Sequence, residues 1–244
     1  MGQQPLESMI VGDIVAMDFR AAAVFDRFGI DFCCGGRRSV TDACERARVD
    51  VSDVVTALGA ITTSGADADD PAKWPADRLI DYIVETHHGY VRSALPTISA
   101  YLAKLEAVHG QRHPELARVR VAFGEVAAEL EQHMMKEEQV LFPYVRQLAE
   151  IDAAGATMPP SPFGTVGNPI RMMEHEHQAV ADEMGEIRVL TDGYVPPADG
   201  CTTYRVGMAE LERFENDLHR HIHLENNALF PNAIAMERRT GGRS

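Results

Sequence analysis

The sequence predicts an all-α chain, an up-down-up-down four-helix bundle preceded by a small helical domain, and three observations carry that expectation. Strand-like alternation of apolar and polar residues is absent over any useful length. From Trp74 onward four long helical patterns follow one another, separated by Pro- and Gly-rich breaks near 109–114, 154–167 and 192–200. The stretch H-x3-E-x3-L-F-P occurs twice, from His133 to Pro143 and from His221 to Pro231, once on the second long pattern and once on the fourth.

The elements follow in order. Asp13 can cap a helix over 14–19, and a second over 21–28 ends at Gly29, a C-cap glycine. After Asp31-Phe32-Cys33-Cys34-Gly35-Gly36, Ser39 or Thr41 can start a third helix to about Arg48, and Ser52-Asp53 a fourth to about Leu58. These make a small domain over residues 1–62. The polar, breaker-rich stretch inside 63–75 reads as a linker, and 76–244 as the bundle.

Composition narrows the function. Lys and Arg number 23 against 37 Asp and Glu, a formal charge of -14, which argues against nucleic acid and anionic membrane partners. No basic segment followed by an apolar run opens the chain, and no run of ~18 apolar residues occurs, so the expected location is the cytoplasm. The four cysteines, Cys33, Cys34, Cys44 and Cys201, form no CxxC pair and no disulfide framework. GxGxxG, Walker and G-x-S-x-G motifs are absent.

A His and a Glu four apart stack on one helix face. On the second long helix a three-four step runs Phe123, Val126, Leu130, His133, Glu137, Val140, Tyr144; on the fourth it runs Leu211, Phe214, Leu218, His221, Glu225, Ala228. Both pairs interrupt an apolar seam, where the bundle core lies. A lone His there is commonly a hydrogen-bonded core residue, but a buried carboxylate is costly without a cation, and neither seam holds Lys or Arg. A metal ion is the economical partner.

On the third helix His177 steps with Ile170, Met173, Val180, Met184 and Ile187, whereas His175 steps with Asn168, Arg171, Gln178 and Asp182, so His177 faces inward. The same test puts His219 and His223 on the wet side of the last helix, in rows with Glu215 and Asn216. On the first helix His87 and His88 both fit apolar rows, and periodicity leaves the choice open. One His per helix and two Glu exceed the four ligands of a structural zinc and lack thiolates; imidazole with carboxylate suits iron or manganese, two bridging carboxylates suit two ions, and di-iron with positions left open for a small ligand is the reading.

These residues resemble the iron-sulfur cluster repair di-iron proteins, the RIC or YtfE/ScdA family, over nearly the whole chain. The matching pieces are Asp31 to Gly36, His133 to Pro143, Met173 to His177, Cys201-Thr202-Thr203, and His221 to Pro231. The resemblance implies a hemerythrin-like bundle with iron ligands at His88, His133, Glu137, His177, His221 and Glu225, Glu137 and Glu225 being bridges. It selects His88 by counting back from Leu95-Pro96, while His87 is a departure that keeps a ligand swap open. It implies two non-haem iron ions, carboxylate-bridged with an oxo or hydroxo group.

Cys33 and Cys34 sit beside Arg37 and Arg38, whose charge favours thiolate; the resemblance implies that this turn takes part in function, in redox or iron handling. Cys44 reads as packing, and Cys201 as either a helix start or a functional thiol. The expected function is repair of iron-sulfur clusters damaged by nitric oxide or oxidants, with damaged iron-sulfur proteins as partners, nitric oxide or oxygen as small ligands, and a possible homodimer. A hemerythrin-like oxygen or nitric oxide carrier or sensor, and a di-iron nitric oxide reductase, are the alternatives.

Overall fold

The computed structural model describes residues 5–18, 20–32, 36–62, 70–159 and 161–241. Four short helices open the chain: α1 (Val11–Met17), α2 (Arg20–Arg27), α3 (Val40–Ala47) and α4 (Val51–Thr62). Four long helices follow: α5 (76–109), α6 (115–153), α7 (Gly167–Leu190) and α8 (202–241). α5 packs on α6 and α8, and α6 on α7. Among the described residues the only extended pairing is an isolated bridge between Ile10 and Ser39. No helix there is long and apolar enough to cross a membrane.

Caps place the short helices, with some shifts from expectation. α1 starts at Val11, so Asp13 lies in its first turn rather than capping it. Asp18 instead receives the backbone N–H of Arg20 at 3.0 Å and starts α2. α2 ends at Gly29, whose φ of 65° needs a residue without Cβ. The Ser39 hydroxyl accepts from Asp42 N–H at the head of α3. α4 is headed by Asp50, which accepts from Ser52 N–H at 2.8 Å, and it runs past Leu58 to Thr62.

Three of the long helices carry a π turn: Ile83–His88 in α5, Glu137–Leu141 in α6 and Glu225–Leu229 in α8. In α6 the N–H of Phe142 bonds the carbonyl of Glu137, five residues back, and in α8 Phe230 does the same to Glu225. The next residue each time is Pro143 or Pro231, which has no N–H and whose ring crowds the carbonyl four residues back. The repeated L-F-P thus coincides with a repeated widening of the helix. The expected seams break there: Val140 is 45 % exposed while Leu141 is buried, and Leu229 rather than Ala228 reaches the core.

The apolar interior has two parts. One joins the small domain (Val11, Phe25, Phe32, Val54) to the bundle through Phe123, Phe214, Leu218 and Ile222. The other gathers Leu79, Ile83, Leu141, Phe142, Ile170, Leu229 and Phe230. A layer of buried His and Glu side chains lies between them along the helices.

The small domain covers a face of α8 that periodicity assigns to solvent. His223 is fully buried and Glu215 nearly so, not on a wet face. Phe32 lies 5.8 Å from the His219 ring and 5.9 Å from that of His223. Arg37 pairs with Glu174 of α7, and α1 touches the π turn of α8. Gly12 allows this approach, since a Cβ there would come within 2.7 Å of Asn227 Oδ1. Glu215 is compensated by Arg188, whose Nε donates to it at 2.8 Å.

Candidate metal centre

Six side chains from the four long helices meet in the buried layer. His88, Glu137, His221 and Glu225 can each offer one ligand atom with all of them within 4.8 Å of one another, and so can His133, Glu137, His177 and Glu225. The two groups share Glu137 and Glu225. Glu225 spans them, with Oε1 3.0 Å from His221 Nε2 and Oε2 3.0 Å from His177 Nε2. Glu137 does the same at longer range, Oε2 lying 3.4 Å from His88 Nε2 and Oε1 3.4 Å from His133 Nε2. All six residues expose 2 % of their surface or less.

The local backbone explains how they arrive there. His133 and His221 end regular helical segments, and each following Glu opens a π turn, so the imidazole and carboxylate of one motif aim at one point. In α5 the π turn buries both His87 and His88, which an ideal helix would set about 100° apart. His88 turns Nε2 to within 3.2 Å of His221 Nε2. His87 lies outside both groups, its ring stacked on His221 at 5.7 Å and its Nδ1 3.0 Å from Asp217.

The donor set fits a pair of cations for a reason visible in its outer contacts. His88 Nδ1 bonds Glu138 at 2.6 Å, His133 Nδ1 bonds Glu176 at 2.9 Å, and His177 Nδ1 bonds the Asn226 side-chain oxygen at 2.9 Å. An oxygen acceptor selects the Nδ1–H tautomer and leaves Nε2 with a lone pair pointing inward. His133 Nε2 and His177 Nε2 then face each other at 3.0 Å. Both Glu137 oxygens and one of Glu225 are buried without a hydrogen-bond partner. Lone pairs and carboxylates converging in an apolar interior are stable around cations and costly otherwise. Imidazole and bridging carboxylate without thiolate suit iron, and the centre is a di-iron one.

Electrostatics agree. Burial pushes the Glu225 carboxyl up, but His221 and His177 hold it well below the usual range. Burial and Glu225 push Glu137 up, and His133 and His88 win in the other direction. Burial disfavours a charged His133, yet Glu137 and Glu176 raise it to about 10, a measure of how strongly this position calls for positive charge. His133 in turn draws Glu176 down to about 2, burial opposing and Lys136 assisting.

Some participants escape a reading of single helices. Glu138 is the partner of His88 rather than a solvent-facing group. Glu176 and Asn226 each adjoin a candidate ligand of their own helix and bond a candidate ligand of another. The legible signal is a polar neighbour beside each of Glu137, His177 and Glu225. His175 is exposed. Cys33 and Cys34 lie outside the described residues; their flanks, Phe32 and Gly36, are buried. A Cβ on Gly36 would fall 2.3 Å from the Phe32 carbonyl oxygen, so position 36 requires glycine.

Removing an outer partner should loosen the centre without removing a ligand. Glu176→Ala is expected to lower iron affinity about 10–100-fold in a chelator competition. Unchanged affinity would show that His133 needs no such support.

Residues 79–233 match the hemerythrin HHE cation binding domain, and residues 7–62 match ScdA_N, a domain of unknown function. The iron-sulfur cluster repair protein YtfE of Musicola paradisiaca (strain Ech703) is 34 % identical over 232 residues, covering 93 % of this chain and 96 % of that protein. Proteins of the same name from Yersinia pestis (strain Pestoides F) and Yersinia pseudotuberculosis serotype O:1b (strain IP 31758) are 33 % identical over 218 residues, 89 % of this chain and 93 % of theirs.

Proposed function

Because this chain belongs to the iron-sulfur cluster repair family of hemerythrin-domain proteins, we propose that it restores iron-sulfur clusters damaged by nitrosative or oxidative stress in the cytoplasm. The observation that carries this reading is the pairing of a buried two-cation site with a small domain seated on the helix that supplies two of its six side chains. Iron bound there supplies redox capacity and a coordination position for a small ligand such as nitric oxide or oxygen.

The chain's own residues do the rest. Glu137 and Glu225 supply two negative charges shared between the half-sites, while Glu138, Glu176 and Asn226 fix the imidazoles by holding Nδ1–H. Phe142 and Phe230 lie against the rings of His88 and His177, at 5.9 and 6.0 Å, and keep water from that side. Cys33 and Cys34, which fall between Phe32 and Gly36 in the sequence and close to Arg37, would supply electrons or accept iron as cargo. Between the small domain and the bundle lies a cleft of about 250 Å³ lined by Asp31, Phe32, Gln178, Asp182, Glu215 and His219.

A simple carrier or sensor would have no use for this docked domain, and that favours repair. The test is recovery of activity by a nitrosylated iron-sulfur dehydratase. Wild-type protein loaded with iron is expected to restore activity, and a Cys33→Ser/Cys34→Ser variant to lose most of that effect. Recovery no better than buffer with wild-type protein would overturn the repair reading.

A further inference from the structure

At the other end of α5 and α8 a second reactive pair stands apart from the iron site. Cys201 precedes α8 as its N-cap residue and is exposed. Its Sγ lies 3.2 Å from Nε2 of His109, the last residue of α5. His109 is 4 % exposed, and its ring packs edge-on against Tyr204 at 5.4 Å. His109 is 21 residues from His88, and Cys201 is 20 from His221, so about 30 Å of helix separates the two sites. Its closest polar contact is the sulfur, since His109 Nδ1 is buried without a partner.

The neighbouring groups hold this arrangement still. His113 bonds Glu115 at 3.1 Å on one side and Asp199 at 3.0 Å on the other. Arg112 pairs with Asp199 at 3.1 Å, and Gly200 N–H bonds the Pro197 carbonyl at 2.8 Å. The loop that carries Cys201 is thereby tied to the turn that follows His109. A thiolate at a helix N-terminus meets backbone N–H groups and the positive end of the dipole. The nitrogen of His109 is within reach of its proton.

We propose that Cys201 and His109 form a second reactive site that takes the disulfides of small thiols. The Cys201 thiolate attacks one sulfur of RS–SR, the new Sγ–S bond forms, the S–S bond breaks, and the departing RS⁻ takes the proton that His109 had drawn from Cys201. The balance is one protein thiol and one disulfide giving one mixed disulfide and one free thiol. The His109 contact, then the backbone N–H groups of Tyr204 and Thr203, bring the Cys201 thiol down to about 7.

The experiment treats iron-loaded, full-length protein with oxidised glutathione between pH 5.5 and 9.5 and follows each cysteine by peptide mass spectrometry. Cys201 should be modified with a midpoint near 7. His109→Gln should raise that midpoint by at least one unit. At pH 7 a rise toward the usual value leaves about 50-fold less thiolate, the stronger nucleophile recovers roughly tenfold, and the net slowing is about fivefold. Cys44, buried with its thiol pushed up by burial, should stay unmodified and reports that the fold is intact. A wild-type midpoint at 8.5 or above, or an unchanged profile in His109→Gln with Cys44 protected, would overturn the proposal. Should the variant expose Cys44, the wild-type midpoint alone decides.

Discussion

Glu225→Ala is expected to take the iron content from about two ions per chain to well under one. Its two oxygens each lie 3.0 Å from an imidazole of a different half-site, so its loss removes one ligand from both groups at once. It also removes one of the two fully buried carboxylates in that layer, where no Lys or Arg is buried among the described residues. His175→Ala, on the exposed side of α7, should retain close to the full complement. His219→Ala and His223→Ala should also retain it, since those side chains meet Phe32 and not the ligand groups. Iron measured by mass spectrometry on anaerobically purified protein decides the matter. Equal losses in Glu225→Ala and His175→Ala would contradict the two-group geometry.

The second large effect is the stability that bound iron adds. With iron present at about 1,000 times its dissociation constant, binding adds about 4 kcal/mol to stability. At roughly 2–4 °C per kcal/mol for a chain of this size, chelation should lower Tm by about 8–16 °C. Glu137→Gln should lower Tm further in the iron-loaded protein, because it weakens the bridge. In chelated protein the same change should lower Tm by less, because without iron the carboxylate keeps only His133 and His88, which hold its charge against burial and Glu225. Calorimetry of four samples, wild type and variant with and without iron, gives the answer. An equal loss of Tm in both conditions would mean that Glu137 stabilises the fold without taking part in the metal site.

The sequence carries much of this because a His and a Glu four apart obey a rule internal to one helix, and the apolar rows on either side report the same face. His133, Glu137, His177, His221 and Glu225 are found that way. His87 and His88 are not separable, since a π turn changes the angle between neighbours and brings both indoors. The misplacement of Val140 and Ala228 has the same origin. His223 and Glu215 read as wet because periodicity describes a helix and not what is laid over it; here the small domain covers them. Glu176 and Asn226 act across helices, a relation no single-helix pattern contains.

The three π turns also set the phase of the bundle. Each inserts one residue beyond regular winding, so everything that follows is rotated by about 100° relative to an uninterrupted helix. Above the turns of α6 and α8 the inward rows end in His133 and His221; below them the inward rows restart at Leu141 and Leu229. The two apolar halves are therefore wound out of step with each other, and the polar layer is the place where that offset is absorbed. A one-residue deletion in either L-F-P turn would bring the halves back into step and, in doing so, carry Phe142 or Phe230 away from the imidazole it shields.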